Sequence, residues 1–188
     1  MAELIVALDV PSRAEVAATL RRLGDAVDFY KIGLELFSAE GPDVVRLVRD
    51  AGKRVFLDLK LHDIPRTVER AVHSIGRLGV ELATIHASGG RAMIRAAADA
   101  AATFGASAPK ILAVTCLTSL DQGDLDDLGV ARAMPDQVEA LGLLAVANGA
   151  DGIVCSPREV AAMNRALIPA AQGRPVVFVT PGVRPAGA

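Results

Sequence analysis

Short apolar runs of strand length recur along the chain, at Leu4 to Leu8, Phe29 to Ile32, Val55 to Leu59, Leu82 to Ile85, Ile111 to Thr115, Gly152 to Cys155 and Val176 to Thr180. Each is nearly continuous rather than alternating, the pattern of a parallel strand buried on both faces. Between them lie amphipathic segments rich in alanine, leucine and arginine, which predict helices. Ser12-x-x-Glu15 reads as a capping box, as does Ser156-Pro157-Arg158-Glu159 with proline at the first helical position, and Asp136-x-x-Glu139 reads as a variant of the same device. Strand, loop and helix alternate without a composition break or linker, which predicts one α/β unit with a wholly parallel sheet.

Two architectures carry such a sheet, the doubly wound fold and the (β/α)8 barrel. A doubly wound nucleotide fold favours a glycine fingerprint after the first strand, whereas this strand runs into Asp9-Val10-Pro11. In a barrel, reactive groups gather at the carboxyl ends of many strands. Here nearly every apolar run leads to polar groups: Asp9, Lys31, Asp58 with Lys60, His86, Thr118, Ser156 and Arg184. The expectation is therefore a TIM barrel. About seven strands can be counted where a closed barrel needs eight. Residues 1–188 are thus expected to form a single barrel domain, incomplete at the carboxyl terminus, with exposed edges on its first and seventh strands.

Composition narrows the class of partner. Lysine and arginine total 20 against 22 acidic residues, so there is no basic footprint for nucleic acid, and a small-molecule partner is favoured. A hydrophobic content of 52% is ample for one core. No apolar stretch approaches a membrane span, and no basic region precedes a long apolar segment at the amino terminus. A cytoplasmic protein is expected. Cys116 and Cys155 lack any C-x-x-C spacing and each closes an apolar run, so both are expected to be reduced and packed.

The chemistry concentrates in Phe56-Leu57-Asp58-Leu59-Lys60-Leu61-His62-Asp63-Ile64-Pro65, where two acids and a lysine stand at the end of an apolar strand. Residues i and i+2 of a strand share a face, so Asp58 and Lys60 are expected to point the same way. Asp63 follows where the chain turns into a helix that Pro65 helps to start. Burying so many charges is costly unless they pair or react. From the residues alone, Asp58 and Lys60 could form a structural ion pair, Asp63 a helix cap, Lys31 a rim lysine and Asp9 a cap for the first turn. His62 and His86 beside packed strands read more readily as structural groups than as catalysts, and His73 as an ordinary helix residue.

The pattern D-x-K-x-x-D, and more narrowly D-L-K-L-H-D-I-P-x-T, resembles the signature of the orotidine 5'-monophosphate decarboxylase family. Other segments agree in order: Ala7-Leu8-Asp9, Tyr30-Lys31-Ile32-Gly33, Ile85-His86-Ala87-Ser88-Gly89-Gly90, Val114-Thr115-Cys116-Leu117-Thr118-Ser119, Cys155-Ser156-Pro157 and Thr180-Pro181-Gly182-Val183-Arg184-Pro185. The resemblance implies a barrel enzyme, without cofactor or metal, that converts orotidine 5'-monophosphate to UMP and carbon dioxide in pyrimidine synthesis. It implies an alternating array of Lys31, Asp58, Lys60 and Asp63, with Asp58 against the substrate carboxylate and Lys60 delivering a proton to C6. Asp9 would bind ribose hydroxyls, and Thr118, or Ser119 beside it, the pyrimidine edge. Pro181 and Arg184 would begin a phosphate site whose remainder has no counterpart before Ala188. Asp63, Ile64 and Thr67 would complete the partner's site across a two-fold interface, making a homodimer with shared active sites and no nucleic-acid or membrane partner. D-x-K-x-x-D also occurs in magnesium-dependent sugar-phosphate decarboxylases and aldolases of the same suprafamily, the alternative enzyme. A third reading, resting on the eighth unit missing from the strand count, is an inactive fragment that only dimerises or binds nucleotide.

Overall fold

Seven parallel strands, β1 (Val6–Ala7), β2 (Phe29–Gly33), β3 (Arg54–Leu61), β4 (Leu82–His86), β5 (Lys110–Val114), β6 (Gly152–Val154) and β7 (Val177–Val179), make one sheet in the computed structural model, which describes residues 2–182. The strands lie in the order β1-β2-β3-β4-β5-β6-β7, each paired in parallel with the next. A doubly wound sheet reverses its order part-way across, and this one never does, which is the progression of a barrel. Among the described residues β1 and β7 are the edges.

Every expected strand is present. The first is shorter than expected: only Val6 and Ala7 pair with β2, and Leu4 is exposed. The crossovers are α1 (Arg13–Leu23), α2 (Leu34–Glu40) with α3 (Pro42–Asp50), α4 (Pro65–Gly76), α5 (Gly90–Ala102), α6 (Gln122–Asp127) with α7 (Met134–Ala147), and α8 (Val160–Ala170). None of these helices is long and apolar enough to cross a membrane.

The apolar runs conceal a period of two. Tyr30, Ile32, Val55, Leu57, Ala83, Ile85, Ile111 and Ala113 face outward into the layer shared with the helices. Phe29, Phe56, Leu82 and Leu112 form a separate inner cluster. Ile5, before β1, packs on that inner cluster together with Val177 and Val179 of β7, so the sheet curls until residues from both edges meet one interior. Counting on by twos from the inner layer gives Lys31 and Gly33 on β2, Asp58 on β3, and Thr84 and His86 on β4. The inner face is thus apolar at its base and polar at the carboxyl ends.

Arg54 anchors the base. Its Nη2 lies 2.6 Å from Glu81 Oε1, its Nη1 pairs with Glu3, and its guanidinium carbon stands 4.1 Å from the Phe29 ring centroid. The carboxylates raise the Arg54 pKa, and that arginine in turn lowers the pKa of Glu81. Charge-assisted bonds and a cation over a ring therefore tie together Glu3, β2, β3 and the approach to β4.

Three caps differ in part from the sequence reading. The Ser12 hydroxyl accepts from Glu15 N–H as expected, but Glu15 answers the Ser12 hydroxyl rather than its backbone. The Ser156 motif does not start a helix. Glu159 accepts from Ser156 N–H at 2.7 Å, and the residues between them form a turn ahead of α8, which begins at Val160. Asp136 and Glu139 lie inside α7, whose start is set by Pro135. The box that forms is at Asp121 and Asp124, where each side chain accepts from the other's backbone. Cys155 is buried and Cys116 half-buried, both are free thiols, and burial pushes the Cys155 thiol up to about 11.

Candidate active site

Asp58, Lys60 and Thr84 meet at the carboxyl end of β3, and the backbone there departs from simple alternation. Leu57 pairs with Ala83 and Leu61 with Ile85, so four residues of β3 advance against two of β4. The slack is taken up by a bulge in which Lys60 is left-handed, with φ +53. This corrects the expectation that Asp58 and Lys60 share a face by strand periodicity. They meet because the bulge turns the lysine back: Lys60 Nζ stands 2.8 Å from Asp58 Oδ2. The second carboxylate oxygen is also engaged, since the Thr84 hydroxyl donates to Asp58 Oδ1 at 2.9 Å. The same hydroxyl oxygen accepts from Lys60 N–H at 2.8 Å. The Asp58 side chain retains 13% exposure and that of Lys60 35%, so the pair is sheltered but reachable.

Lys31 makes a second pair, its Nζ 3.4 Å from Asp9 Oδ1, with the Asp9 side chain 75% exposed. The lysine amine reaches the rim past Gly33, where a Cβ would stand 3.2 Å from Lys31 Nζ. Gly33 itself pairs in register with Asp58, which places the two lysine–aspartate pairs on neighbouring strands. Asp63 joins neither. Its Oδ1 accepts from Ile64 N–H at 2.7 Å, just before α4, where Ile64 holds the cap position without a side-chain cap. The residues from His62 to Thr67 are all exposed, Ile64 to 67%.

Thr118 and Ser119 are exposed and occupy the centre of a turn after β5 closed by Leu120 N–H on Leu117 O at 3.0 Å. Pro181 follows β7 and is exposed. Arg184, expected at the phosphate, lies outside the described residues.

The His62 and His86 rings face each other with centroids 5.5 Å apart. Burial lowers the pKa of His86, and His62 and Lys60 push it the same way, against a smaller opposing effect of Asp58. A histidine whose folded pKa is depressed binds fewer protons folded than unfolded near that pKa. Its contribution to stability is complete above its ordinary value of about 6.5 and is lost as pH falls through the folded value. The melting temperature should therefore decline from pH 7 to pH 5, and His86→Gln should decline less. Parallel profiles for the two proteins would remove His86 as a cause.

The family model described as orotidine 5'-phosphate decarboxylase / HUMPS matches residues 2–188. The chain belongs to this family. It is 48% identical over 190 residues to the orotidine 5'-phosphate decarboxylase of Moorella thermoacetica, covering 98% of this chain and 73% of the relative. The crystal structure of orotidine 5'-phosphate decarboxylase from Lactobacillus acidophilus superposes with a TM-score of 0.89 at 40% identity, over 98% of this chain and 82% of that one. An orotidine 5'-monophosphate decarboxylase from Methanocaldococcus jannaschii, crystallised with inhibitor BMP, shares the fold at a TM-score of 0.77 and 23% identity, over 100% of this chain and 80% of that one.

Within this member of the orotidine 5'-phosphate decarboxylase / HUMPS family, two residues at the site were missed in the sequence. Thr84 looks like any β-branched strand former in Leu82-Ala83-Thr84-Ile85-His86. Its signal was position: a hydroxyl two residues before His86, on the same face. Gly33 stood only within the family-like segment Tyr30-Lys31-Ile32-Gly33; its extended backbone, with φ −88 and ψ 175, does not require glycine, and the constraint there is the nearby Lys31 amine.

Proposed function

We propose that this chain decarboxylates orotidine 5'-monophosphate to UMP and carbon dioxide, the closing step of de novo UMP synthesis. The observation that carries the reading is the 2.8 Å contact of Lys60 Nζ with Asp58 Oδ2 at the carboxyl end of β3, in a chain of this family. The substrate carboxylate is read as docking against Asp58 with C6 towards Lys60. The C6–carboxylate bond breaks, its electron pair stays on C6, carbon dioxide leaves, and a proton passes from Lys60 Nζ to C6. The neutral amine then regains a proton from solvent. A lysine suits both parts, because its ammonium stabilises the developing charge and holds the proton required.

Two carboxylates about 4 Å apart repel by roughly 4 kcal/mol at an effective dielectric near 20. Enzymes lower barriers by about 8–23 kcal/mol. Repulsion from Asp58 is therefore a minor share, and transition-state stabilisation by Lys60 and its charged neighbours, drawing on binding energy from remote parts of the substrate, is the larger one. Asp9, held by Lys31 and open to solvent, is read as the acceptor for ribose hydroxyls. Thr118 or Ser119 is read as the contact to the pyrimidine edge, and Pro181 with Arg184 as part of the phosphate end.

Asp63, Ile64 and Thr67 are read as completing the site of a second copy in a cytoplasmic homodimer. What supports this is the exposed run from His62 to Thr67, with an apolar side chain at its centre. No cofactor or metal enters the reaction so read. The test is the loss of orotidylate ultraviolet absorbance on adding the protein with a chelator present throughout. Fast conversion to UMP is expected. Activity restored only by magnesium, on a sugar phosphate instead, would transfer the site to the other enzymes that share D-x-K-x-x-D, and no turnover of either would leave the non-catalytic reading.

A further inference from the structure

Among the described residues, Thr84 is the one whose side chain bonds both to Asp58 and to the backbone of Lys60. We propose that its hydroxyl is a positioning group for the decarboxylation, holding the lysine and the carboxylate in their reactive arrangement without touching substrate. The inference rests on the roles proposed above for Asp58 and Lys60.

A lysine at φ +53 is in a region that costs an L residue about 1–2 kcal/mol, and such a conformation persists only where its surroundings hold it. At this bulge the regular register between β3 and β4 is interrupted between Leu57 and Leu61, so the ladder does not run through Lys60. The Thr84 oxygen accepts from Lys60 N–H there at 2.8 Å. Having accepted there, the hydroxyl directs its hydrogen to Asp58 Oδ1, 2.9 Å away. One side chain therefore fixes two things: the turn that returns the lysine side chain towards the acid, and the rotation of the carboxylate that presents Oδ2 to the amine.

Thr84 is suited to the task by its own rigidity. It is 1% exposed, lies in the middle of β4 where every residue from Leu82 to His86 pairs with β5, and its branched side chain has little freedom at χ1. Its burial keeps water from replacing the hydroxyl at either contact. Catalysis by positioned charges is steeply sensitive to geometry, and a misplacement of about 1 Å can cost around 100-fold. Thr84 has no exposed surface with which to bind substrate, so its loss should fall on turnover rather than on affinity.

Thr84→Val keeps the shape and removes the hydroxyl, while Thr84→Ser keeps the hydroxyl. The expected result is a fall in kcat of about 10–100-fold for Thr84→Val, with KM changed less than about threefold and the fold retained by circular dichroism, and recovery to within about fivefold of the parent in Thr84→Ser. A readout that needs no activity accompanies it: the Lys60 amide, followed by NMR hydrogen exchange, should exchange at least about tenfold faster in Thr84→Val and near the parent rate in Thr84→Ser. A folded Thr84→Val with parental kcat and parental Lys60 exchange would overturn the proposal, as would a Thr84→Ser that loses as much of both as the valine variant. Were the parent itself inactive on orotidylate, the function proposed above would fail, and the exchange experiment would still decide whether Thr84 holds the bulge.

Discussion

Lys60→Ala is expected to reduce orotidylate turnover by about 10⁴-fold or more, because it removes at once the proton donor and the positive charge nearest the reacting carbon. The fold should survive. Lys60 is at the rim with a side chain 35% exposed, and Asp58 keeps the Thr84 hydroxyl on Oδ1 when the ammonium is gone. Circular dichroism unchanged from the parent, with a melting point lowered by only a few degrees, would separate a lost site from a lost structure. Lys60→Arg sharpens the result. A guanidinium keeps the charge but does not release a proton near neutrality. It is expected to stay within about tenfold of the alanine variant if proton delivery is the main role. An arginine variant close to parental activity would show that charge alone suffices and would withdraw the proton-donor role from Lys60. An alanine variant with parental activity would withdraw the site altogether.

The largest effect on stability is expected at Gly152. This residue pairs in register with Val177 of β7, and a Cβ added to it would stand 1.9 Å from the Val177 carbonyl oxygen and 2.7 Å from its carbon. The obstacle is backbone, so no rotamer change relieves it, and β6 would have to part from β7. Gly152→Ala should cost about 3 kcal/mol or more, lowering the melting temperature by roughly 6–12 °C for a chain of this length. Gly142→Ala gives the contrast. There the backbone is helical and the new methyl would meet Leu167 at 3.4 Å, an ordinary contact, so stability should hold or rise by up to about 1 kcal/mol. Equal melting points for the two variants would mean that the β6–β7 pair tolerates the added atom.

The strands were legible because a buried parallel strand must be apolar on both faces, and few other segments of this chain satisfy that for four or five residues in succession. β1 was over-read for a related reason: Leu4 has the composition of a strand, but it lies outside the paired ladder and exposed. Asp58 and Lys60 are legible as a pair because they are two residues apart, yet strand periodicity alone does not bring them together. Alternation would have placed Lys60 correctly only in a regular strand, and nothing in the identity of a lysine announces a left-handed backbone. The role of Thr84 was hidden for the complementary reason, since its partners are 24 and 26 residues away and meet it only across the ladder. The misread caps at Ser156 and Asp136 show that a short local motif satisfies a turn as readily as a helix, and tertiary packing decides which.

The unbroken order of the seven strands bears on how the chain reaches its structure. Each strand finds its neighbour in the strand made just before it, so every enlargement of the sheet closes one loop of a single βα unit and never waits for a distant segment. A sheet of this order can grow by accretion from its amino-terminal side during synthesis on the ribosome, at about 5–20 residues per second. At each stage it carries two open edges, the fixed one of β1 and the advancing one of the newest strand. The interval before the following strand arrives is when the nascent chain is most open to pairing with another copy, so chaperone dependence should follow the pace of translation more closely than the stability of the finished fold.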